Sequence, residues 1–293
     1  MHAEYRSITS LWGLAVLVAV VVAGCGGASA GEEPPSLAAT DDPGAIHVHG
    51  LGYDEPRDVL YVATHTGLFE LLPGMGRARR IGDSHQDTMG FTVLGSRHFL
   101  DSGHPDLRDE ELPPYLGLLS SRDRGRTWQS VSLLGEADFH VLRAQDDTIY
   151  GFDSRSGGLF VSADAGLTWA SRRVPEALVD IAIDPEDSRH IIASGELALY
   201  ESRDAGRRWS PIAVGIGGRL AWPRASLLYL ADKDGSILTA TEPAGHWRLR
   251  GRLDSSPAAL LAVDGRGLFA ALHDGTIVRS ADGGVTWIVR TRP

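Results

Sequence analysis

The sequence contains almost no cysteine and almost no lysine. Of its 293 residues one is cysteine, Cys25, and one is lysine, Lys233, so arginine supplies nearly all of the 28 basic residues. A single cysteine excludes a disulfide within the chain, and packing alone must stabilise any folded domain. The net charge is −10 and no stretch is rich in basic residues, which gives no reason to expect nucleic acid as a partner.

Long apolar runs are also scarce, and the main one lies near the N-terminus. Residues 11–22 form an apolar run after the positively charged Arg6. Its length is typical of a signal peptide and short for a membrane-spanning helix. It ends in Val22-Ala23-Gly24-Cys25, which looks like a bacterial lipobox. We therefore predict a lipoprotein signal peptide over residues 1–25, with Cys25 lipidated and the protein anchored outside the cytoplasm to the bacterial cell membrane. The alternative is a plain signal peptide with a chance cysteine.

The segment after Cys25 is poor in apolar residues and rich in glycine and proline. Such composition is typical of a flexible chain, so residues 26–45 are predicted to be a disordered tether. The remaining residues, 46–293, are numerous enough to bury a large core, and the hydrophobic fraction of 43% is ordinary for a globular protein.

An eight-residue pattern, Ser-x-Asp-x-Gly-x-Thr-Trp, recurs along the chain. Copies begin at Ser121, Ser162, Ser202 and Ser280, and the third carries Arg208 in place of threonine. A degenerate fifth copy surrounds Trp247. Successive tryptophans are 38 to 41 residues apart, and a fixed period of this length predicts stacked supersecondary units.

The residues of the pattern favour a hairpin turn. Ser and Asp side chains cap backbone N–H groups in tight turns, and Gly accepts a positive φ. The pattern resembles the Asp-box (BNR) repeat. The resemblance implies an all-β protein built of four-stranded propeller blades, with each box between the third and fourth strands and away from the ligand-binding face. It also implies a structural role for the residues that match the box: Asp123, Trp128, Asp164, Trp169, Asp204, Trp209, Asp282 and Trp287.

The strand pattern and the repeat together predict a six-bladed β-propeller over residues 46–293. The predicted blades cover residues 46–84, 86–134, 137–175, 179–215, 217–254 and 257–293. Blade two is longer because residues 98–115 include an insertion rich in Asp, Glu and Pro. The last blade has its own outer strand, so we expect no exchange of strands between the termini.

Histidines are concentrated in the first half of this domain, where seven of the 11 lie between positions 47 and 140. Propellers usually bind ligands on the face formed by the beginnings of the innermost strands and the loops between the second and third strands. Several polar residues of blades one to three should converge there, namely His47, His49, His65, Asp87, Met89, His104, Asp138 and His140. His85 and His98 are left out of this set, and His190, His246 and His273 are predicted to be exposed or in turns.

Imidazoles beside a carboxylate suit zinc, copper, iron or nickel, and Met89 would favour copper. Two other interpretations stay open: an organic ligand at the same place, or histidines that only hydrogen-bond to water and backbone carbonyls.

The motifs around His47-Val48-His49-Gly50, Asp87-Thr88-Met89-Gly90 and Asp138-Phe139-His140 look like those of a bacterial lipoprotein group labelled glycosylhydrolase-like. That label derives from the repeat and establishes no activity.

The Asp-box family includes sialidases, which implies a glycoside hydrolase as the alternative function. Those enzymes resemble one another in an arginine triad, a Tyr–Glu pair and an acid/base Asp. Here the inner strands offer Arg143 and Arg219 without a convincing third arginine, and Glu196 has no evident Tyr partner. The weak catalytic candidates are Asp87, Asp138 and Glu196.

Photosystem assembly factors and sortilin-type receptors carry similar blades without hydrolysing a substrate. A binding or assembly module for a small molecule, glycan or protein is therefore the favoured prediction.

Overall fold

The structure is a computed structural model and describes residues 44–293. The predicted signal peptide, Cys25 and nearly all of the predicted tether lie outside these residues. Among the described residues no helix is long and apolar enough to cross a membrane. The helical content of this part of the chain is one short 3₁₀ turn, Glu55–Arg57.

Six antiparallel sheets of four strands each form the blades, and the strands of every sheet follow one another in sequence. Blade one contains β1 (Val48–Asp54), β2 (Val59–Thr64), β3 (Gly67–Leu71) and β4 (Arg79–Arg80). Blade two contains β5 (Asp87–Gly95), β6 (His98–His104), β7 (Leu118–Ser121) and β8 (Gln129–Ser132). Blade three contains β9 (Phe139–Gln145), β10 (Thr148–Asp153), β11 (Gly158–Ser162) and β12 (Ala170–Arg172).

The second half of the ring repeats this arrangement. Blade four contains β13 (Asp180–Asp184), β14 (Asp187–Ser194), β15 (Ala198–Ser202) and β16 (Ser210–Val214). Blade five contains β17 (Gly218–Arg224), β18 (Leu227–Asp232), β19 (Ser236–Ala240) and β20 (Arg248–Arg252). Blade six contains β21 (Pro257–Ala262), β22 (Leu268–Leu272), β23 (Ile277–Ser280) and β24 (Ile288–Thr291). The fold is therefore the six-bladed β-propeller that the sequence predicts, and within residues 44–293 blades one and six exchange no strand.

The hydrophobic core consists of six clusters, each lying between two consecutive blades. One cluster closes the ring, because it combines Leu51 and Phe69 of blade one with Phe269 and Ile277 of blade six. At the outer edge, the Thr291 hydroxyl donates to the Gly76 carbonyl at 2.9 Å. The apolar face of each sheet is thus buried against its neighbours, which is the reason that a single blade would not be stable alone.

The four complete copies of the repeated turn share one hydrogen-bond pattern between the third and fourth strands of their blades. In blade three, Ser162 Oγ accepts the Gly166 N–H at 2.8 Å and donates to Asp164 Oδ1 at 2.7 Å. The other carboxylate oxygen of Asp164 accepts the Thr168 hydroxyl at 2.6 Å. In blade four the Arg208 guanidinium takes the place of that hydroxyl, with Nε 2.8 Å from Asp204 Oδ2.

Two adjacent residues of each turn have positive φ, for example +58° at Ala165 and +87° at Gly166. The sequence indicated only the glycine. The tryptophan that follows each turn packs into the cluster between its own blade and the preceding one, as Trp128 does against blade one and Trp169 against blade two. The turn therefore fixes both the hairpin and the contact with the preceding blade.

Candidate functional site

The predicted site residues lie at the face where the innermost strands begin. His49, Asp87 and His140 lie at the beginnings of β1, β5 and β9, and His65 lies in the loop between β2 and β3. His104 is the last residue of β6 and pairs in register with Asp87. The repeated turns follow the ends of the third strands, so they lie at the opposite face. Ring closure therefore brings side chains from three blades together, as the alternation of strand directions predicts.

The Asp87 carboxylate is the centre of this group. Its Oδ1 lies 2.8 Å from His65 Nδ1 and 3.8 Å from His49 Nε2, and its Oδ2 lies 3.1 Å from His104 Nδ1. One ring nitrogen each of His49 and His65 and one carboxylate oxygen of Asp87 all lie within 4.8 Å of one another. We call His49, His65 and Asp87 the triad. Its three atoms are of the kinds that zinc and copper prefer.

Two of the three atoms are buried and have no hydrogen-bond partner. His49 Nε2 and Asp87 Oδ1 are both in this state, although a partner would be expected for any buried polar atom. The contact between His65 Nδ1 and Asp87 Oδ1 is short, but it does not have the geometry of a hydrogen bond. Asp87 Oδ1 therefore accepts no hydrogen bond from His65. Burial, reinforced by the neighbouring His65, lowers the pKa of His49 to about 4 against the opposing attraction of Asp87. At neutral pH His49 is therefore an uncharged imidazole, the form that binds metals.

A second carboxylate lies beside the triad. His104 joins the two, since its Nε2 lies 3.6 Å from Asp138 Oδ2. The same Asp138 oxygen is hydrogen-bonded to His140 Nε2 at 3.0 Å and to the Ser154 hydroxyl at 2.6 Å. Burial opposes ionisation of Asp138, but these hydrogen bonds outweigh it and lower its pKa. Asp138 is therefore an anion, and its buried Oδ1 has no hydrogen-bond partner.

Gly103 allows His104 to reach Asp87. It has a φ of +150°, and a Cβ at this position would lie 1.9 Å from the Asp87 carbonyl oxygen. Strand β6 thus approaches β5 more closely than a side chain would allow.

The other predicted residues are placed less centrally. His47 is exposed, with its ring 5.4 Å from that of His65. Met89 is the extra residue of a β-bulge between Thr88 and Gly90, which interrupts the alternation that would have put it beside Asp87. Glu196 lies in the loop between β14 and β15, in blade four, and lines a different cavity from the triad.

Sequence reasoning missed residues that line the opening of the site. His65, Asp87 and His104 form one side of a cleft of about 570 Å³, which continues along the blade-two insertion. His85, which the sequence analysis left out, also lines this cleft. Its backbone N–H donates to the buried Asp106 carboxylate at 2.7 Å. Hydrogen bonds from the Arg108 guanidinium lower the pKa of Asp106 well below its usual range.

The prediction for His190 is wrong, because this residue is buried in β14 with 5% of its surface exposed. Its two ring nitrogens each lie 2.7 Å from a carboxylate oxygen, of Asp184 and of Glu201. Since Glu201 comes from the neighbouring strand β15, the spacing along the sequence gave no sign of this contact.

No family model matches the chain, and no curated protein matches it. Solved structures do resemble it. A structure of YCF48 bound to D1 peptide has a TM-score of 0.54 at 15% identity, covering 84% of this chain and 83% of that one. YCF48 from Cyanidioschyzon merolae has a TM-score of 0.51 at 16% identity, covering 84% and 85%.

The GH74 xyloglucanase from Xanthomonas campestris has a TM-score of 0.57 at 21% identity. The aligned region covers 84% of this chain but 45% of the xyloglucanase chain. At these identities the likeness concerns the fold alone. The chain is a six-bladed β-propeller that resembles YCF48 and the GH74 xyloglucanase in architecture.

Proposed function

We propose that this chain is a binding or assembly propeller that holds a transition metal, zinc or copper, at the triad. The observation that carries the proposal is the pair of buried, unpartnered atoms, His49 Nε2 and Asp87 Oδ1, facing His65 Nδ1. Ligand atoms around a tetrahedral zinc, each about 2.0–2.1 Å from the ion, stand roughly 3.3 Å apart. The distances of 2.8 and 3.8 Å within the triad bracket that separation.

The residues around the triad support this proposal. His104 Nδ1 lies 3.1 Å from the second oxygen of Asp87 and, with its ring N–H, donates to it, which would orient the carboxylate towards the ion. Three protein ligands leave a fourth tetrahedral position free, and the cleft of about 570 Å³ beside the triad offers space for a ligand that completes it.

We also assign the repeated turn to the Asp box and the first 25 residues to a lipoprotein signal peptide that ends at Cys25. Under this proposal the propeller stands outside the cytoplasm on a tether of residues 26–45. Its site would meet small molecules, glycans or proteins at the cell surface. Labelling with a radioactive fatty acid, lost on Cys25→Ser, tests the anchor.

Metal analysis of the purified protein tests the triad. We expect about one zinc or copper ion per chain after dialysis against the metal, lost in His49→Ala and in Asp87→Asn. His246→Ala is the matched control, because His246 is exposed in blade five, in the outer part of that blade. Metal-free protein whose thermal unfolding is unchanged by Zn²⁺ and by Cu²⁺ would contradict the proposal.

A glycoside hydrolase is the second candidate, favoured by the carboxylate pair that His104 joins. Two carboxyl groups flank the sugar bond in most glycosidases, and Asp138 presents a buried oxygen without a hydrogen bond. Glu196 lies in another blade and does not join this pair. Release of a chromophore from a panel of aryl glycosides, abolished in Asp138→Asn, would support hydrolysis. No release from the whole panel would count against it.

A further inference from the structure

A second cavity opens at the same face on the opposite half of the ring. It is formed by blades four to six and has a volume of about 240 Å³. Arg219, at the beginning of β17, is partly buried in its wall. The exposed side chains of Glu196, Lys233 and His273 line the cavity nearer the surface. None of these residues belongs to the triad.

The Arg219 guanidinium carries a positive charge that no carboxylate neutralises directly. Its Nη1 donates to the Val179 carbonyl oxygen at 2.8 Å. Among residues 44–293, no Asp or Glu lies within ion-pair distance of Arg219. Burial lowers the pKa of Arg219, but arginine stays protonated in proteins. The cavity therefore contains a desolvated cation.

The carboxylate that attracts Arg219, Asp180, already accepts hydrogen bonds on both of its oxygens. Its Oδ1 lies 2.6 Å from Arg143 Nη2 and accepts the Ile181 N–H at 2.8 Å. Its Oδ2 accepts the Leu220 N–H at 3.0 Å. Two guanidinium groups thus share one anion, and one net positive charge remains beside the cavity. A partly buried charge without an ion-pair partner is unfavourable, so an anion that enters the cavity would be stabilised.

We propose that this cavity binds the oxyanion group of a small molecule, a carboxylate or a phosphate, on Arg219. The planar fork of a guanidinium matches two oxygens of either group. Lys233 forms no ion pair among the described residues, and together with His273 it adds donors near the surface. The volume of about 240 Å³ admits a metabolite-sized ligand rather than a folded partner. Glu196 disfavours anions of high charge, which selects for a ligand with one anionic group.

Isothermal titration of the full chain with sodium acetate and, separately, with sodium phosphate at constant ionic strength tests this site. We expect saturable binding of at least one anion and an affinity roughly tenfold to a hundredfold lower in Arg219→Gln. The anion that binds more tightly identifies the group. Arg248→Gln, an exposed arginine on the outer strand β20, is the matched control and should bind as the unmodified chain does.

Two further variants keep the test decisive if Arg219→Gln unfolds. Lys233→Ala, at an exposed position, should weaken binding severalfold, and Glu196→Gln should strengthen it. Unchanged affinity in both, or no saturable binding of either anion, would overturn the proposal.

The anion site uses no residue of the triad, although the charge of Arg219 acts on His49 and helps to lower its pKa. Binding should persist in His49→Ala and after treatment with a chelator. Binding that disappears with the metal would assign the anion to the triad instead and overturn the site at Arg219.

Discussion

The repeated turns and the candidate site at the opposite face use aspartate in opposite ways. In the repeated turn of blade three, both carboxylate oxygens of Asp164 accept hydrogen bonds, from the hydroxyl groups of Ser162 and Thr168 and from the Thr168 N–H. At the other face Asp87 and Asp138 each have a buried oxygen without a hydrogen bond. A saturated carboxylate is part of the scaffold, whereas an unsaturated one is open to a ligand. Changes in the turns should therefore reduce stability, and changes at the triad should affect binding.

The largest effect on the turn face is expected from Gly166→Ala. This glycine has a φ of +87°, and a Cβ there would lie 2.1 Å from Leu118 Cδ2 in the neighbouring blade. Strain and overpacking together should cost about 3 kcal/mol of unfolding free energy, or about 6–12 °C in Tm for a domain of this size. Calorimetry measures the change. Gly157→Ala is the control, because φ is +65° but no atom lies within 4 Å. Equal shifts in the two variants would contradict the packing argument.

A smaller loss is expected from Ser162→Ala. The buried Gly166 N–H donates to Ser162 Oγ at 2.8 Å and would lose its acceptor. An unsatisfied buried N–H costs about 1–3 kcal/mol, which predicts a Tm lower by several degrees. The exposed Ser171 provides the comparison, and Ser171→Ala should change Tm little. Metal binding at the triad should be the same in both variants, and its loss in Ser162→Ala would remove the distinction between the two faces.

Acid should weaken the turn face by a modest amount. Hydrogen bonds from Thr127 and Thr168 lower the pKa of Asp123 and of Asp164 to about 2, below the ordinary value of 3.8. A carboxyl group whose pKa is lower in the folded than in the unfolded protein stabilises the fold at pH values above its unfolded-state pKa. This stabilisation is lost as the pH falls through the folded-state pKa. Tm should therefore decrease between about pH 4 and pH 2. In Asp164→Asn the decrease should be smaller, although Tm at neutral pH is already lower. An identical pH profile in that variant would exclude this contribution.

The smallest effect on stability is expected at the triad. His65 has a side chain that is 44% exposed and does not contribute to the hydrophobic clusters. In the metal-free protein His65→Ala should change the unfolding free energy by no more than about 0.5 kcal/mol. When Zn²⁺ is added, the unmodified protein should become more stable than His65→Ala, because a ligand stabilises only the state that binds it. Thermal unfolding with and without metal measures both quantities. A large loss of stability without metal would show that His65 belongs to the scaffold.

Much of the fold could be predicted because its signals are local. The Ser, Asp, Gly and Thr of each turn lie within eight residues, so the hairpin and its period were visible without knowledge of the partners. The positive φ of Ala165 was not predicted, because alanine does not ordinarily indicate that conformation. The convergence of histidines was predicted from strand order alone. Which atoms meet was not, since the bulge at Met89 and the close approach at Gly103 depend on the register between β5 and β6.

Residues on neighbouring strands explain the main errors. His190 was predicted to be exposed or in a turn because the sequence does not reveal the register between β14 and β15, which places Glu201 beside it. His85 lines the cleft, where Asp106 of the insertion accepts its backbone N–H.

The sequence by itself determined the repeating unit, its number and the half of the ring that is rich in histidine. These properties follow from side chains that act within a few residues or from a period along the chain. The tertiary structure alone decided that His49, His65 and Asp87 come together, and that Arg219 forms no ion pair among residues 44–293. Both depend on the closing of the ring, which sets atoms from distant blades at distances that no spacing along the chain encodes.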